Sequence, residues 1–198
     1  MYKVKILKNG IGEFKKARLG ISLGQNYHEG DKFISLCEWA DTRFEHVEVM
    51  VADTLNRWND LALNIAAQDW KKLGDDWLDR NEYAISLLSS KHITRWDDYR
   101  RHPDYIRSMR WVKQRYDASF PFKTMIDDRV SKVREKYGGD PFYIRSYLIE
   151  ECSVSVVMAQ QPVADVYPGS FLPIKETLGV NVNFTRVDFL RKEIRLAA

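Results

Sequence analysis

The chain has few of the residues from which metal sites and disulfide frameworks are built. Its 198 residues include two cysteines and four histidines. Cys37 and Cys152 stand alone, without the spacing of a zinc ligand set, and the histidines form no His-x-x-x-His pattern. Isolated cysteines of this kind are typical of buried thiols. We therefore expect two buried thiols and no structural zinc.

The chain also lacks long apolar runs and low-complexity segments. No run approaches the ~20 apolar residues that span a bilayer, and Met1–Val4 carry no signal-peptide pattern. Hydrophobic residues make up 44% of the chain, which is typical of a folded globule. The sequence therefore predicts a cytoplasmic protein without membrane contact, folded as a single domain over residues 1–198.

There is little excess charge of either sign. The 31 basic residues are nearly balanced by 28 acidic ones, which leaves a net charge of +3. That total is too small to indicate nucleic-acid binding. The distribution is more informative, because Arg107, Arg110 and Lys113 are spaced to lie along one helical face. The face is either solvated or a contact for an anion, and charge alone leaves both interpretations open.

What the chain does contain is one serine displayed between glycines, in residues 18–27. Polar and apolar residues alternate here, which predicts a strand with Arg18, Gly20 and Ser22 on one face. Gly20 leaves room beside the serine, and Gly24 allows a sharp turn after it. The pattern therefore predicts Ser22 at the carboxyl end of a strand, where α/β sheets bind ligands.

The spacing Gly20-x-Ser22-x-Gly24 also matches the nucleophile elbow of serine hydrolases. That elbow requires a helix directly after the serine, and an acid and a histidine later in the chain. Residues 25–31 are polar and typical of a loop, and His102 is the last histidine. A serine hydrolase is therefore a weaker alternative.

The order of predicted elements indicates an α/β protein. Strands are predicted over residues 2–8, 17–22, 46–53, 163–167 and 180–187, the last as a late or edge strand. Helices are predicted over 32–44, 61–88 and 102–116. After a break at residues 120–122 another helix continues to about residue 137, and the last helix begins at residue 141. The strand–helix–strand order over residues 17–53 predicts a βαβ unit in a Rossmann-like, mostly parallel sheet. Residues 91–101 are interpreted as a connection, and the helices between 61 and 137 are expected on one side of the sheet.

The last predicted helix has a strong start and an unusual face. Asp140 can accept hydrogen bonds from the free amides, and Pro141 suits the first turn. Steps of four residues then place Tyr143, Tyr147, Glu151 and Ser155 on one face. This face is either a polar seam in which Glu151 pairs with an arginine, or a pocket wall whose acid can bind an ammonium group.

Two stretches and one later tyrosine carry a family resemblance. Residues 16–22 are similar to a motif ending in Gly-aliphatic-Ser, and residues 147–153 to a motif Tyr-aliphatic-x-x-Glu-x-Pro. Tyr167 matches a tyrosine at the end of a following strand. The chain thus resembles the tRNA-dependent cyclodipeptide synthases, in the branch with a variable residue at Gln25 and Tyr-Pro at 167–168. It departs from the motifs at Lys16, Arg18 and Ser153, which replace a histidine, an aliphatic residue and a proline.

The resemblance implies a fold and a reaction. The fold is a Rossmann-like domain similar to the catalytic domain of class I aminoacyl-tRNA synthetases. The reaction joins the aminoacyl groups of two aminoacyl-tRNAs into a cyclic dipeptide, a 2,5-diketopiperazine, without ATP, metal or another cofactor. The resemblance also implies tRNA as the partner of the basic face. A monomer is expected.

The same resemblance assigns roles to residues. Ser22 is the nucleophile that accepts the first aminoacyl group, and Tyr147 and Glu151 hold its α-ammonium group. Reaction with the second aminoacyl-tRNA gives a dipeptidyl-enzyme, which cyclises while Tyr167 relays a proton. Substrate contacts are expected at Arg18, Gly20, Gln25, Asp165 and Pro168. From the charge pattern of this chain, tRNA contacts are expected at Arg107, Arg110 and Lys113, although the basic helix of the family lies earlier, near residues 70–72.

Arg18 leaves a question open, because a buried arginine requires a partner. Asp165 is one candidate and would form a structural ion pair. The carboxylate of a substrate is the other candidate. It leads to the hypothesis that at least one substrate is an acidic or polar aminoacyl-tRNA, with glutamyl-tRNA as the first candidate. A non-catalytic tRNA-binding protein on the same fold is a further alternative.

Overall fold

The computed structural model describes residues 2–8, 11–169, 177–180 and 183–191. In this part of the chain, strands form one sheet in the order β1-β6-β5-β2-β3-β4. Neighbouring strands are parallel, except that β1 and β6 are antiparallel. The predicted α/β fold with a mostly parallel sheet is therefore confirmed. The strands are β1 (Tyr2–Lys8), β2 (Lys16–Ile21), β3 (His46–Val51), β4 (Lys91–Arg95), β5 (Ala164–Tyr167) and β6 (Phe184–Arg191).

Helices cover both faces of the sheet. They are α1 (Gly30–Asp41), α2 (Arg57–Leu63), α3 (Trp70–Arg80), α4 (Glu82–Ser86), α5 (Trp96–Arg100), α6 (Tyr105–Ala118), α7 (Phe120–Tyr137) and α8 (Pro141–Met158). None of the described helices is long and apolar enough to cross a membrane.

Successive side chains of β3 point to opposite faces of the sheet and show which helices cover each face. Val49 packs into a core that α1, α3 and α4 share, where Trp77 is fully buried. Met50 points to the opposite face and packs with Val154 and Val157 of α8. Helices α6 and α7 then pack on α8. The expectation that all helices between 61 and 137 lie on one side is wrong, since α3 and α4 cover the other face.

Two predicted boundaries are also wrong. The segment 91–101 is not a connection, because Lys91–Arg95 is edge strand β4 and pairs with β3. Its sequence Lys-His-Ile-Thr-Arg has one apolar residue, and its first two side chains are exposed, so no hydrophobic pattern marks it. The predicted helix over 61–88 is three helices, since Asn64 adopts left-handed φ 52° and ends α2.

The last strand and last helix are close to their predictions. Strand β6 begins four residues later than predicted, and residues 181 and 182 of the predicted range lie outside the described residues. It is a late strand but not an edge strand, because it lies between β5 and β1. Helix α8 begins as predicted, with the Asp140 carboxylate accepting a hydrogen bond from the Phe142 amide at 2.7 Å.

Candidate active site

Ser22 and Tyr167 lie at the point where the strand order of the sheet reverses. Ser22 directly follows β2, and Tyr167 ends the neighbouring parallel strand β5. The chain continues from β2 to β3 on one side, whereas β5 pairs on the other. Ligands bind at such topological switch points because the two connections leave a crevice between them. The predicted display of Ser22 is confirmed, and Gly24 makes the turn after it with φ 77°.

Three hydroxyl groups form a chain at this point. The Ser22 Oγ and the Tyr167 hydroxyl are 2.9 Å apart, and the Tyr27 hydroxyl lies 3.2 Å from that of Tyr167. Burial and the neighbouring Tyr27 raise the pKa of Tyr167 far above its ordinary value, although the bond from Ser22 opposes them. Tyr167 is therefore a neutral phenol at physiological pH, able to accept one proton while it donates another. Tyr27 was missed because nothing in its local sequence distinguishes it from any loop tyrosine.

Helix α8 supplies the facing wall. Tyr147 and Glu151 line the same two cavities as Ser22 and Tyr167, so the four predicted catalytic side chains come together. Removal from water and the nearby Glu151 raise the pKa of Tyr147 well above that of a free phenol. Tyr147 is thus a neutral hydrogen-bonding group beside a carboxylate, an arrangement that suits an ammonium ion.

The adjacent residues Glu150 and Glu151 of α8 have different environments. Glu150 is 2% exposed and accepts hydrogen bonds from the indole nitrogens of Trp58 at 3.0 Å and Trp96 at 2.7 Å. It also pairs with Arg57. Glu151, one residue on, faces the cavities instead. Tyr143 does not line them and packs its ring 6.3 Å from that of Trp58.

Arg18 has its partners within the protein. Its side chain is fully buried, and its Nη1 lies 2.7 Å from Asp165 and its Nε 3.0 Å from Glu48. The third nitrogen donates to Gln161. Burial alone would lower the pKa of Arg18, but Asp165 and Glu48 raise it above its ordinary value. Of the two roles left open by the sequence, the structure shows the ion pair. Glu48 was missed because it lies opposite Arg18 on β3, a register that only the sheet creates.

The remaining predicted substrate residues lie around Ser22 to different degrees. Of the two cavities, we call the smaller one, which Met50 and Phe184 line, the inner cavity, and the larger one, which Asn59 and Arg129 line, the outer cavity. Gly20 lines the inner cavity, where a Cβ would lie 3.5 Å from the Tyr167 ring. Gln25 is exposed and lines the outer cavity. Pro168 lies outside the residues that line these two cavities. Gly169, which was not predicted, packs against Tyr167 so closely that a Cβ would lie 2.1 Å from its ring.

The predicted tRNA residues lie away from Ser22. Arg107, Arg110 and Lys113 are exposed on α6, and Arg107 pairs with Asp104 at 2.8 Å. None of the three lines the cavities that contain Ser22. The basic residue that does line the outer cavity is Arg129 of α7.

A buried histidine holds the backbone of the nucleophile. The Ser22 amide donates to Nδ1 of His28 at 3.0 Å, and the His28 ring packs 5.6 Å from that of Tyr167. Its Nε2 is buried and has no hydrogen-bond partner among the described residues. Because His28 contacts the main chain while the Ser22 Oγ bonds to Tyr167, this geometry is not that of a serine–histidine pair. Nothing in the sequence signals His28, since its contact depends on the turn at Gly24.

We expect His28 to make stability dependent on pH. Burial lowers its pKa from 6.5 to about 4, so the unfolded chain binds more protons than the folded one between these values. The contribution is full above pH 6.5 and is lost as the pH falls towards 4, by roughly 3 kcal/mol in total. The measurement is thermal unfolding at several pH values for the wild type and His28→Asn. Asparagine can still accept from the Ser22 amide but does not titrate, so an equally steep pH dependence in the variant would contradict this assignment.

Comparisons with known proteins single out one group of structures. Neither a family model nor a curated protein sequence matches the chain. Among solved structures, a cyclodipeptide synthase from Fluoribacter dumoffii is similar with a TM-score of 0.87 and 25% identity, covering 97% of this chain and all of that one. One from Staphylococcus haemolyticus is similar with a TM-score of 0.75 and 15% identity, over 98% of this chain and 100% of that chain.

A third similar structure connects the fold to tRNA synthetases. It is a Mycobacterium tuberculosis protein with a TM-score of 0.67 and 14% identity, over 96% of this chain and 93% of that chain. Its description relates cyclodipeptide synthetases to type I tRNA synthetases. All three structures are described as cyclodipeptide synthases or synthetases, and they match the chain almost from end to end. The chain therefore has the fold of the cyclodipeptide synthases over almost its whole length.

Proposed function

We propose that the protein is a tRNA-dependent cyclodipeptide synthase that works through acyl intermediates on Ser22. The observation that carries the proposal is the meeting of Ser22, Tyr147, Glu151 and Tyr167 around shared cavities. A hydroxyl nucleophile, a carboxylate for an ammonium group and a neutral phenol are the parts that acyl transfer from an aminoacyl ester requires.

In the first step, the Ser22 Oγ attacks the carbonyl carbon of one aminoacyl-tRNA. A new ester bond forms to Ser22, and the bond to the ribose oxygen of tRNA breaks. The hydroxyl proton of Ser22 passes to Tyr167, which gives its own proton to the departing ribose oxygen, so that neither residue ends charged. No ATP is consumed, because the ester in the substrate is already activated.

In the second step, the amine of the Ser22-bound group attacks the carbonyl of the second aminoacyl-tRNA. Glu151 and Tyr147 hold that group as an ammonium ion, which first loses one proton to solvent. As the free amine attacks, Glu151 takes a second proton and passes it to the departing ribose oxygen. The product is a dipeptidyl ester on Ser22. Its free amine then attacks the ester carbonyl, a second peptide bond forms and the ester bond to Ser22 breaks. The proton lost by the amine passes to Tyr167, which gives its own proton to the Ser22 oxygen.

The test is incubation of the purified protein with aminoacyl-tRNAs in the absence of ATP, followed by mass spectrometry. A diketopiperazine that contains the supplied amino acids is the expected product. Release of free amino acids only would support the serine hydrolase alternative. Binding of tRNA without any product would support the non-catalytic alternative. Either result would overturn the proposal.

We also propose that α6 contacts the phosphates of tRNA through Arg107, Arg110 and Lys113. These cations are exposed and share one helical face, whereas Arg129 marks the outer cavity that the acceptor end would enter. Replacing all three by alanine is expected to weaken tRNA binding and to lower the slope of log affinity against log salt by about 3. Fluorescence anisotropy at several salt concentrations measures both.

A matched variant replaces three exposed cations elsewhere, Lys15, Arg43 and Arg80. This variant removes the same net charge, so it separates a local contact from a general charge effect. An unchanged salt slope in the α6 variant, or an equal drop in both, would show that α6 is not the tRNA contact.

A further inference from the structure

Two cavities of different size and character meet at Ser22. The inner one has a volume of about 60 Å³, and the outer one about 380 Å³. Ser22, Tyr147, Glu151 and Tyr167 belong to both linings. An acyl group on Ser22 therefore has two directions for its side chain, and the inner cavity is the more restrictive of the two.

The inner cavity has an apolar wall. It is formed by side chains from β3, α8, β5 and β6 and from the segment that follows β3. They belong to Met50, Ala52, Leu55, Met158, Val166 and Phe184. Four of them are at most 5% exposed. An apolar wall of this kind offers no hydrogen-bond partner to a polar side chain, which would lose its water without compensation.

The charged residues of the inner cavity do not alter this conclusion. Arg18 and Asp165 line it, but they bind each other, and Glu48 occupies a further nitrogen of Arg18. Because one cation faces two carboxylates, the cluster carries a net negative charge. A substrate carboxylate placed here would compete with Asp165, Glu48 and Gln161, which each accept from one nitrogen of Arg18, and would be repelled by Asp165.

The size of the inner cavity favours a small occupant. An apolar cavity of about 150 Å³ holds one benzene molecule. A cavity of about 60 Å³ is less than half as large, which leaves space for one to three carbon atoms. Alanine, 2-aminobutyrate and valine side chains fit that space, whereas phenylalanine and glutamate side chains exceed it.

On the basis of the proposed function, we infer that the group loaded on Ser22 is a small apolar aminoacyl group of alanyl to valyl size, with its side chain in the inner cavity. For the group loaded on Ser22, this replaces the hypothesis of an acidic aminoacyl-tRNA such as glutamyl-tRNA. The outer cavity is larger and includes polar residues such as Asn59 and Arg129, so it imposes no such preference on the second aminoacyl group.

The test measures the first acylation alone. Bacterial tRNA is charged with one amino acid at a time, namely alanine, valine, leucine, phenylalanine or glutamate. Acyl adducts on the intact protein, and any cyclic product, are followed by mass spectrometry. Alanyl-tRNA or valyl-tRNA is expected to load at least about 10-fold faster than phenylalanyl-tRNA and glutamyl-tRNA, since one methylene too many in a fitted pocket discriminates by about 10–200-fold.

Two variants change the size of the cavity in opposite directions. Met50→Ala enlarges it and is expected to raise loading from leucyl-tRNA relative to alanyl-tRNA. Ala52→Val fills it and is expected to reduce loading from valyl-tRNA more than from alanyl-tRNA. The wild-type comparison decides the question even if a variant does not fold.

The outcomes separate the two proposals. Loading from the glutamate or phenylalanine pool at a rate equal to that of alanine and valine would overturn this inference and leave the proposed function intact. Loading from none of these five pools would overturn this inference. Loading from no pool when all twenty amino acids are supplied one at a time would overturn the proposed function as well.

Discussion

Replacing Ser22 with alanine is expected to abolish formation of the cyclic dipeptide, by about 10³-fold or more. The proposed route passes through two esters on the Ser22 Oγ, and alanine has no atom that could carry them. Tyr167 remains in place but is a neutral phenol, so it is a poor substitute for the nucleophile. Mass spectrometry of the culture medium and of the intact protein measures the product and the acyl adduct.

Two further variants give this prediction its controls. Ser86→Ala removes an exposed serine of α4, on the far side of the sheet, and should leave product formation unchanged. Ser22→Cys retains a nucleophile and should still acquire the acyl adduct, because a thiol forms a thioester. Wild-type rates in Ser22→Ala would mean that the chemistry does not pass through residue 22.

Replacing Arg18 with leucine is expected to destabilise the fold by about 3–5 kcal/mol, the usual cost of breaking a buried ion pair from one side. The loss leaves Asp165, which is 5% exposed, and Glu48 without their cation. For a chain of this length, that loss corresponds to a fall in Tm of roughly 10 °C. Thermal unfolding followed by circular dichroism measures it.

An exposed ion pair in the same region provides the comparison. Lys15 and Glu45 are 2.7 Å apart, with side chains 74% and 68% exposed. Lys15→Leu should leave the Tm nearly unchanged, since water solvates both partners of a surface pair. Adding Asp165→Asn to Arg18→Leu should restore part of the loss by removing one buried charge. An Arg18→Leu protein as stable as the wild type would contradict the structural role of this arginine.

The Arg18 variant also bears on substrate choice. If Arg18 bound an acidic substrate, its replacement would change which amino acid enters the product while the protein stayed folded. We expect the reverse, because every nitrogen of the guanidinium is used by the protein itself. The product should keep its composition at temperatures where the variant remains folded.

Local patterns along the chain predicted the parts of the site that depend on one element each. Alternation over residues 18–22 placed Ser22 at the end of β2, and the Asp140-Pro141 start set the phase that turns Tyr147 and Glu151 to one side of α8. These are short-range consequences of the periods of strand and helix, which are 2.0 and 3.6 residues. These side-chain positions do not depend on the arrangement of the other elements.

Other features required the assembled sheet. Glu48 meets Arg18 because β3 pairs with β2 in one register, and β4 exists because β3 offers it an edge to pair with. Backbone pairing of this kind gives a short polar segment such as Lys91–Arg95 its structure without a hydrophobic pattern. The location of α3 and α4 on the opposite face from α8 also depends on tertiary packing, because α2 lies between the same two strands and packs on α8.

The sequence by itself determined the fold class, the position of Ser22 and the helix face that carries Tyr147 and Glu151, because each depends on neighbours within a few residues. Only the tertiary structure decided that Arg18 is paired with Asp165 and Glu48, that His28 holds the Ser22 amide, and that the inner cavity is small and apolar. Those facts depend on distances between residues far apart in the chain, which exist only after the strands have paired.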